Sequence, residues 1–331
     1  MTTFKGIRGT AIQSVSSDPT NPEVGQIWYN NTIGVLKGYT LISDAWTAGG
    51  NLNTARDVFA GAGTQTATAV FGGRGPAGDP VAAIATEKYD GTSWTNSGNM
   101  STQRRYCSGL GSSQTAALAV SGGNQIGPGV TTNTEAYNGT SWTAGGAYSF
   151  GSGYLMTTGS QTAAISAGGP PPSVPQSQSS YKYNGTSWTA SGNLNSGRYS
   201  GMAIGTQTAA LFCGGYVTGY VSSFESYNGT SFTSLSALPT AQAGGGSGGT
   251  QTAAILFAND PAPYNAITYN GTSWSTSPAQ LVTGRGNVAK TINGAPQTAV
   301  IAVGGNTGPG QVTTTEEFTA AYYSTKKLTT S

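Results

Sequence analysis

The sequence predicts an all-β protein in which one four-stranded sheet is made six times over. Three observations predict it. An aromatic residue ends a repeated segment at Trp46, Trp94, Trp142, Trp188, Phe232 and Trp274, at intervals of 48, 48, 46, 44 and 42 residues. The tripeptide Gln-Thr-Ala recurs with it, starting at Gln65, Gln114, Gln161, Gln207, Gln251 and Gln297. A glycine pair follows, as Gly72-Gly73, Gly122-Gly123, Gly168-Gly169, Gly214-Gly215 and Gly304-Gly305, while the fifth unit reads FANDP. Self-similarity at a fixed period is the mark of a repeat architecture.

Each unit divides into four short strands. Strand a lies around NTARDVFAG or NSGRYSGMA. Strand b is QTAALAVSGG, where Thr115, Ala117, Ala119 and Ser121 alternate with Ala116, Leu118 and Val120, a period of two. Strand c is NTEAYN and strand d is TSWTA, joined through Asn138-Gly139. Asn-Gly between alternating strands predicts a type I′ hairpin, which needs positive φ at both residues. No sustained 3.6-residue apolar period is present, so helices are expected to be nearly absent. One four-stranded sheet of this size cannot cover both of its own faces, so the units must stack on one another. Four strands in 40–50 residues, six times over, predicts a six-bladed β-propeller.

Composition agrees. The chain has 331 residues, a net charge of +2 and 8% charged residues, with 51 glycines. A balance so near neutral argues against nucleic-acid binding, which wants a basic stripe. No apolar run is long enough to span a membrane. The N-terminus lacks the apolar core of a signal peptide, so synthesis in a cytosol is expected. Cys107 and Cys213 fall in different units and are expected as free buried thiols.

The glycine pair ending the second strand, then an aromatic, then a Trp, resembles the kelch repeat over residues 45–320. The resemblance implies a kelch-type propeller. The last unit reaches TTTEEFT and stops without a Trp, while DAWTAGG at Asp44–Gly50 is a strand d with nothing before it. The N-terminal strand Ala45–Ala48 therefore completes the last blade, with Trp46 beside Phe318, and closure removes exposed edges.

An Arg stands nine residues before the Gln at Arg56, Arg105 and Arg198, with Arg285 as the equivalent when TINGAP is taken as an insertion. A Glu stands two residues before the strand-c aromatic at Glu87, Glu135, Glu225 and Glu316. Two readings fit: a ring of arginines for an anion, or an Arg–Glu pair inside each blade. The third unit has Ser152 and Tyr181 at these places and the fifth has Gln242 and Ile267, so the two charges disappear together. Paired loss favours the structural ion pair, since an unpaired buried charge is costly.

The Asp-Gly-Thr-Ser-Trp hairpin is also similar to the Asp-box of sialidases, but only Asp90 keeps the acid. Copper oxidases built on kelch propellers use histidine, and this chain has none, which also removes Ser–His and Cys–His nucleophiles. No enzyme, cofactor or metal site is expected.

Residues 1–40 stand outside the repeat, 41–322 form the propeller and 323–331 a C-terminal tail. VGQIWYNNTIGVLK is similar to a segment of bacteriophage tail and virion proteins and predicts a hairpin around NNTIG. The resemblance implies a virion structural protein, a capsid decoration or tail-associated adhesin, present in many copies or as a homo-oligomer. Its partners are other virion proteins and a host glycan or receptor. Trp28 and Tyr29 are the expected attachment anchors, unless they cap the propeller instead. The b–c loops vary most between units and are the expected binding surface. Pro170–Pro172 stiffen one of them, and Tyr216 and Tyr220 are placed to stack on sugar rings. A bacterial kelch-like scaffold and, further off, a glycan-active enzyme are the alternatives.

Overall fold

Strand b carries small and apolar residues on both faces, and both faces are buried. Ala117 and Ala119 pack with Ala60, Ala62 and Phe71 of the preceding unit. Leu118 and Val120 pack with Leu155, Ala164 and Tyr183 of the following one. A sheet that buries both faces needs a neighbour on each side, and the fold supplies them. The computed structural model describes residues 12–76, 79, 81–123, 129–169, 177–260, 265–289 and 294–328.

The described residues are all-β, without an α-helix, and form seven sheets. Two compact units contain them: Ala45–Thr319, and Met1–Asp44 with Ala320–Ser331. The larger unit holds six sheets. The first is Ala60–Thr64, Ala67–Phe71, Thr86–Tyr89 and Trp94–Ser97, each strand antiparallel to the next. The second to fifth repeat that order, from Ser108–Ser113 to Trp274–Gln280. The sixth has three strands among the described residues, Ile301–Val303, Thr315–Thr319 and Ala45–Ala48. Phe318 is in register with Trp46, and their rings lie 5.2 Å apart. The N-terminal strand thus completes the last sheet, as the unmatched Asp44–Gly50 segment predicts.

The repeated words now have jobs. The side chains of Gln65, Gln161, Gln207 and Gln251 each reach back to the preceding sheet. Gln161 donates to the carbonyls of Ala117 (2.9 Å) and Tyr137 (2.7 Å), and Gln207 to those of Ala164 and Tyr183. Gln65 of the first sheet reaches Val300 (3.0 Å) and Phe318 (2.6 Å), so the first sheet is tied to the last. The indole of Trp142 donates to Thr86 and that of Trp188 to Thr134, again one sheet back. Trp94 does the same to Thr315. Where Phe232 replaces Trp no donor needs a partner. Trp274 instead meets Phe224, and its indole nitrogen has no hydrogen bond.

A second chain of bonds runs at the opposite end of strand a. Val58, Tyr106, Tyr154, Ser200 and Asn287 all have φ between 52° and 60°, and Gly244 has φ 71°. Left-handed backbone is costly for such residues, above all for Val. At five of them it aims the N–H at the sheet before: Tyr106 to Val58 (2.8 Å), Tyr154 to Tyr106 (3.0 Å), Ser200 to Tyr154 (2.9 Å), Gly244 to Ser200 (2.8 Å) and Val58 to Asn287 (3.1 Å).

The c–d joint differs from the expected type I′ turn. Tyr137 pairs directly with Trp142, leaving a four-residue loop, and only Gly139 in it has positive φ, 95°. Asn138 Oδ1 accepts the N–H groups of Thr140 (3.0 Å) and Ser141 (2.8 Å), satisfying the loop without left-handed Asn. Thr115 of Gln-Thr-Ala packs under that glycine, 3.1 Å from where a Cβ would sit.

The terminal unit is a sheet in the order Gln13–Val15, Ile27–Asn30, Val35–Ile42, Tyr322–Lys327. The expected hairpin is present, with Asn30 opposite Val35. The expected tail over 323–331 is corrected, because Tyr322–Lys327 pairs residue by residue with Lys37–Ile42. The boundary falls at Asp44 rather than residue 40, since Ala45 already pairs with Thr319.

Candidate functional site

Four Arg–Glu pairs are buried, and one is not the pair the spacing suggests. Arg56 reaches Glu87 at 2.6 Å, Arg198 pairs with Glu225 and Arg285 with Glu316. In the second sheet Glu135 is held by Arg104, not Arg105. A register shift between Ala116 and Leu118 inserts one extra residue into Ser108–Ser113. That bulge moves everything before it by one position. The arginines lie ahead of strand a, and further N–H groups of each reach carbonyls, as Arg56 does at Gly72 and Ala85 (both 3.1 Å), while Nε of Arg104 has no partner. The glutamates also accept backbone N–H groups of the entering segment, as Glu87 does from Asn53 (2.7 Å). With every charge engaged, these groups are a fastening and not a site. In the third sheet Tyr148, Phe150, Tyr181 and Trp188 pack edge to face in its stead.

Arg105, released from Glu135 by the shift, is bonded through its backbone to Gly123 (2.9 and 2.7 Å), at the end of strand b. Its guanidinium lies 5.4 Å over the ring of Tyr106. From there aromatics continue: Tyr106 stacks on Tyr154 at 4.3 Å, Tyr154 meets Tyr199 at 5.8 Å, Tyr199 meets Tyr216 at 5.5 Å, and Tyr216 meets Tyr220 edge-on at 5.5 Å. Backbone bridges set the last three, Tyr199 with Tyr216 and Tyr216 with Tyr220. Tyr216 and Tyr220, singled out from the sequence, therefore do come together. Tyr154, Tyr199, Asp260 and Asn287 join them around a recess of about 220 Å³.

Asp260 is the recess's charged group. It replaces the residue after the glycine pair in the fifth unit and is fixed by two backbone bonds to Ala243, both 2.9 Å. Asn287 donates to its Oδ2 at 3.3 Å. A Cβ at Gly286 would lie 2.5 Å from Asp260 Oδ1, so glycine makes the room. Burial pushes the Asp260 carboxyl above its ordinary value. Burial, and then the neighbouring Tyr216, raises the Tyr199 phenol. Beyond Asn287, Arg74 is held by Asp57 through two bonds, 3.0 and 2.5 Å, and Asn306 donates to the same carboxylate. None of the ion pairs among the described residues includes Asp260. Pro170–Pro172 lie outside the described residues.

Trp28 and Tyr29 part company. Trp28 is fully buried, and its indole donates to Asp18 at 3.0 Å. Asn30 (2.9 Å) and Lys37 (2.5 Å) converge on the same carboxylate and, Lys37 first, lower its pKa to about 2. Trp28 is thus corrected from anchor to core, because alternation along a strand sends neighbours to opposite faces. Tyr29 stays 40% exposed. Cys107 and Cys213 are buried thiols, and Cys107 Sγ donates to the Phe71 carbonyl at 3.8 Å.

Stacked four-stranded antiparallel sheets, each bonded to the one before, fit a β-propeller. A solved structure, that of YjhT, is similar to this chain with a TM-score of 0.66 at 13% identity, over 84% of this chain and 100% of that one. At that identity the likeness shows the fold alone. No family model and no curated protein matches the chain.

Proposed function

We propose that this chain is a bacteriophage virion protein, a capsid decoration or tail-associated adhesin, that displays a six-bladed kelch-type propeller toward a host glycan. One observation carries the binding role. The recess of Tyr154, Tyr199, Tyr216, Tyr220, Asp260 and Asn287 lies where the six repeats differ, on a scaffold whose repeated groups are already engaged with one another. Variable loops on a rigid frame are where binding resides. The virion role rests on VGQIWYNNTIGVLK, and the terminal unit, with exposed Tyr29, Tyr322 and Tyr323, is the attachment element. Six sheets tied in sequence, the first to the last through Gln65, support the blade number.

Immunogold electron microscopy of purified particles tests the assignment. Labelling in repeated copies is expected. Recovery of the chain only from the cytosol of uninfected cells would sink the virion reading and favour a bacterial kelch-like scaffold.

A further inference from the structure

We infer that the tyrosine recess takes a single uncharged pyranose, with Asp260 and Asn287 accepting hydrogen bonds from its hydroxyls, Tyr220 covering its apolar face and Tyr216 bordering its edge. The inference rests on the glycan reading above and names the ligand class of that site.

Size is the first argument. The recess measures about 220 Å³, below the roughly 300–1,000 Å³ of pockets that enclose drug-sized ligands. The recess is sized for one sugar ring. Hydrogen-bond character is the second. An ionised carboxylate only accepts. Asn287 already gives an N–H to Asp260 Oδ2 at 3.3 Å, which leaves its own Oδ1 and Asp260 Oδ1 to accept. The complement is a ligand rich in hydroxyl donors. Charge is the third. An acidic sugar would bring a second carboxylate beside Asp260, where the pair Arg74–Asp57 is already internally balanced and Arg105 lies over Tyr106. The rings are the fourth. Tyr220 is 43% exposed and stands edge-on to Tyr216, so two faces of different direction are presented. Tyrosine offers such area at low entropic cost.

Saturation-transfer NMR on the full chain tests this, with glucose, galactose, mannose and N-acetylglucosamine set against glucuronate and N-acetylneuraminate. At least one uncharged sugar is expected to bind and both acids to give no signal. Asp260→Asn and Tyr220→Ala are each expected to weaken that binding by about tenfold or more, the loss of one charge-assisted hydrogen bond or one ring contact. A melting curve on each variant shows that it is folded. Binding of the acids alone, or uncharged-sugar binding that survives both substitutions, overturns the inference. So does the absence of any monosaccharide signal. Those results leave the virion assignment standing, since particle labelling decides it separately.

Discussion

The two ends of each sheet differ in kind. At the hairpin end, Gln161 ties its sheet to the one before, Thr162 packs near the hairpin Gly185, and Asn184 Oδ1 caps the loop. The same roles recur at Gln207, Thr208 and Asn228. At the b–c loop end the backbone also repeats, with a left-handed residue ahead of strand a in each sheet, yet the side chains there are Val, Tyr, Tyr, Ser, Gly and Asn. Repetition marks contacts that every sheet must make with its neighbour. Variation on the same backbone marks side chains not needed for that contact, and there the tyrosines and Asp260 gather.

The adjacent arginines give the largest test of this contrast. Arg104→Ala leaves Glu135 buried without its partner and is expected to cost about 3–5 kcal/mol in urea unfolding. Arg105→Ala, outside the ion pair, should stay within about 0.5 kcal/mol. Glu135→Ala combined with Arg104→Ala should cost less than the sum of the two singles. Equal effects of the two arginines would erase the distinction between the repeated fastening and the variable positions beside it. Next in size, Gly139→Val forces a β-branched residue into φ 95° and against Thr115. A loss of about 1–2 kcal/mol is expected, with sugar binding by the folded fraction unchanged.

Proton linkage separates the ends more finely. Folded Asp260 holds its proton more tightly than the unfolded chain does, its pKa being raised by burial. Its contribution is therefore favourable below the ordinary carboxylate value and is lost as pH rises through the raised one. Asp260→Asn should raise the melting temperature at neutral pH, and the gain should vanish in acid, which a series of melts would show. Asp18 in the terminal unit runs the other way. Its stabilisation is present above the ordinary value of 3.8 and is lost as pH falls through about 2. Asp18→Asn should then lower stability at neutral pH and lose its effect in acid. Smallest of all, Tyr220→Ala should leave stability within about 0.5 kcal/mol while weakening sugar binding about tenfold or more.

Much of this could be read in advance because it is written in local periods. The six markers, the closure by Trp46 and three of the four ion pairs follow from counting. Arg104 escaped the count because a one-residue bulge in Ser108–Ser113 shifts position without changing composition. The type I′ turn failed because the Asn side chain can satisfy the loop N–H groups itself. Trp28 looked available because exposure is not a property of a residue's type, and Asp18, ten residues away, supplied its partner.

By itself the sequence determined the array, since a small apolar strand buried on both faces has no stable arrangement except a stack of its own copies. It also determined which charges vanish together. Only the tertiary structure decided the recess, because Tyr154, Tyr216, Asp260 and Asn287 come from four different repeats and lie up to 133 residues apart (287 − 154). No local period relates them. What brings them together is backbone geometry: Tyr154 and Asn287 stand at the left-handed step, and Tyr216 and Asp260 are bridged to Tyr199 and Ala243, which precede that step in their own sheets.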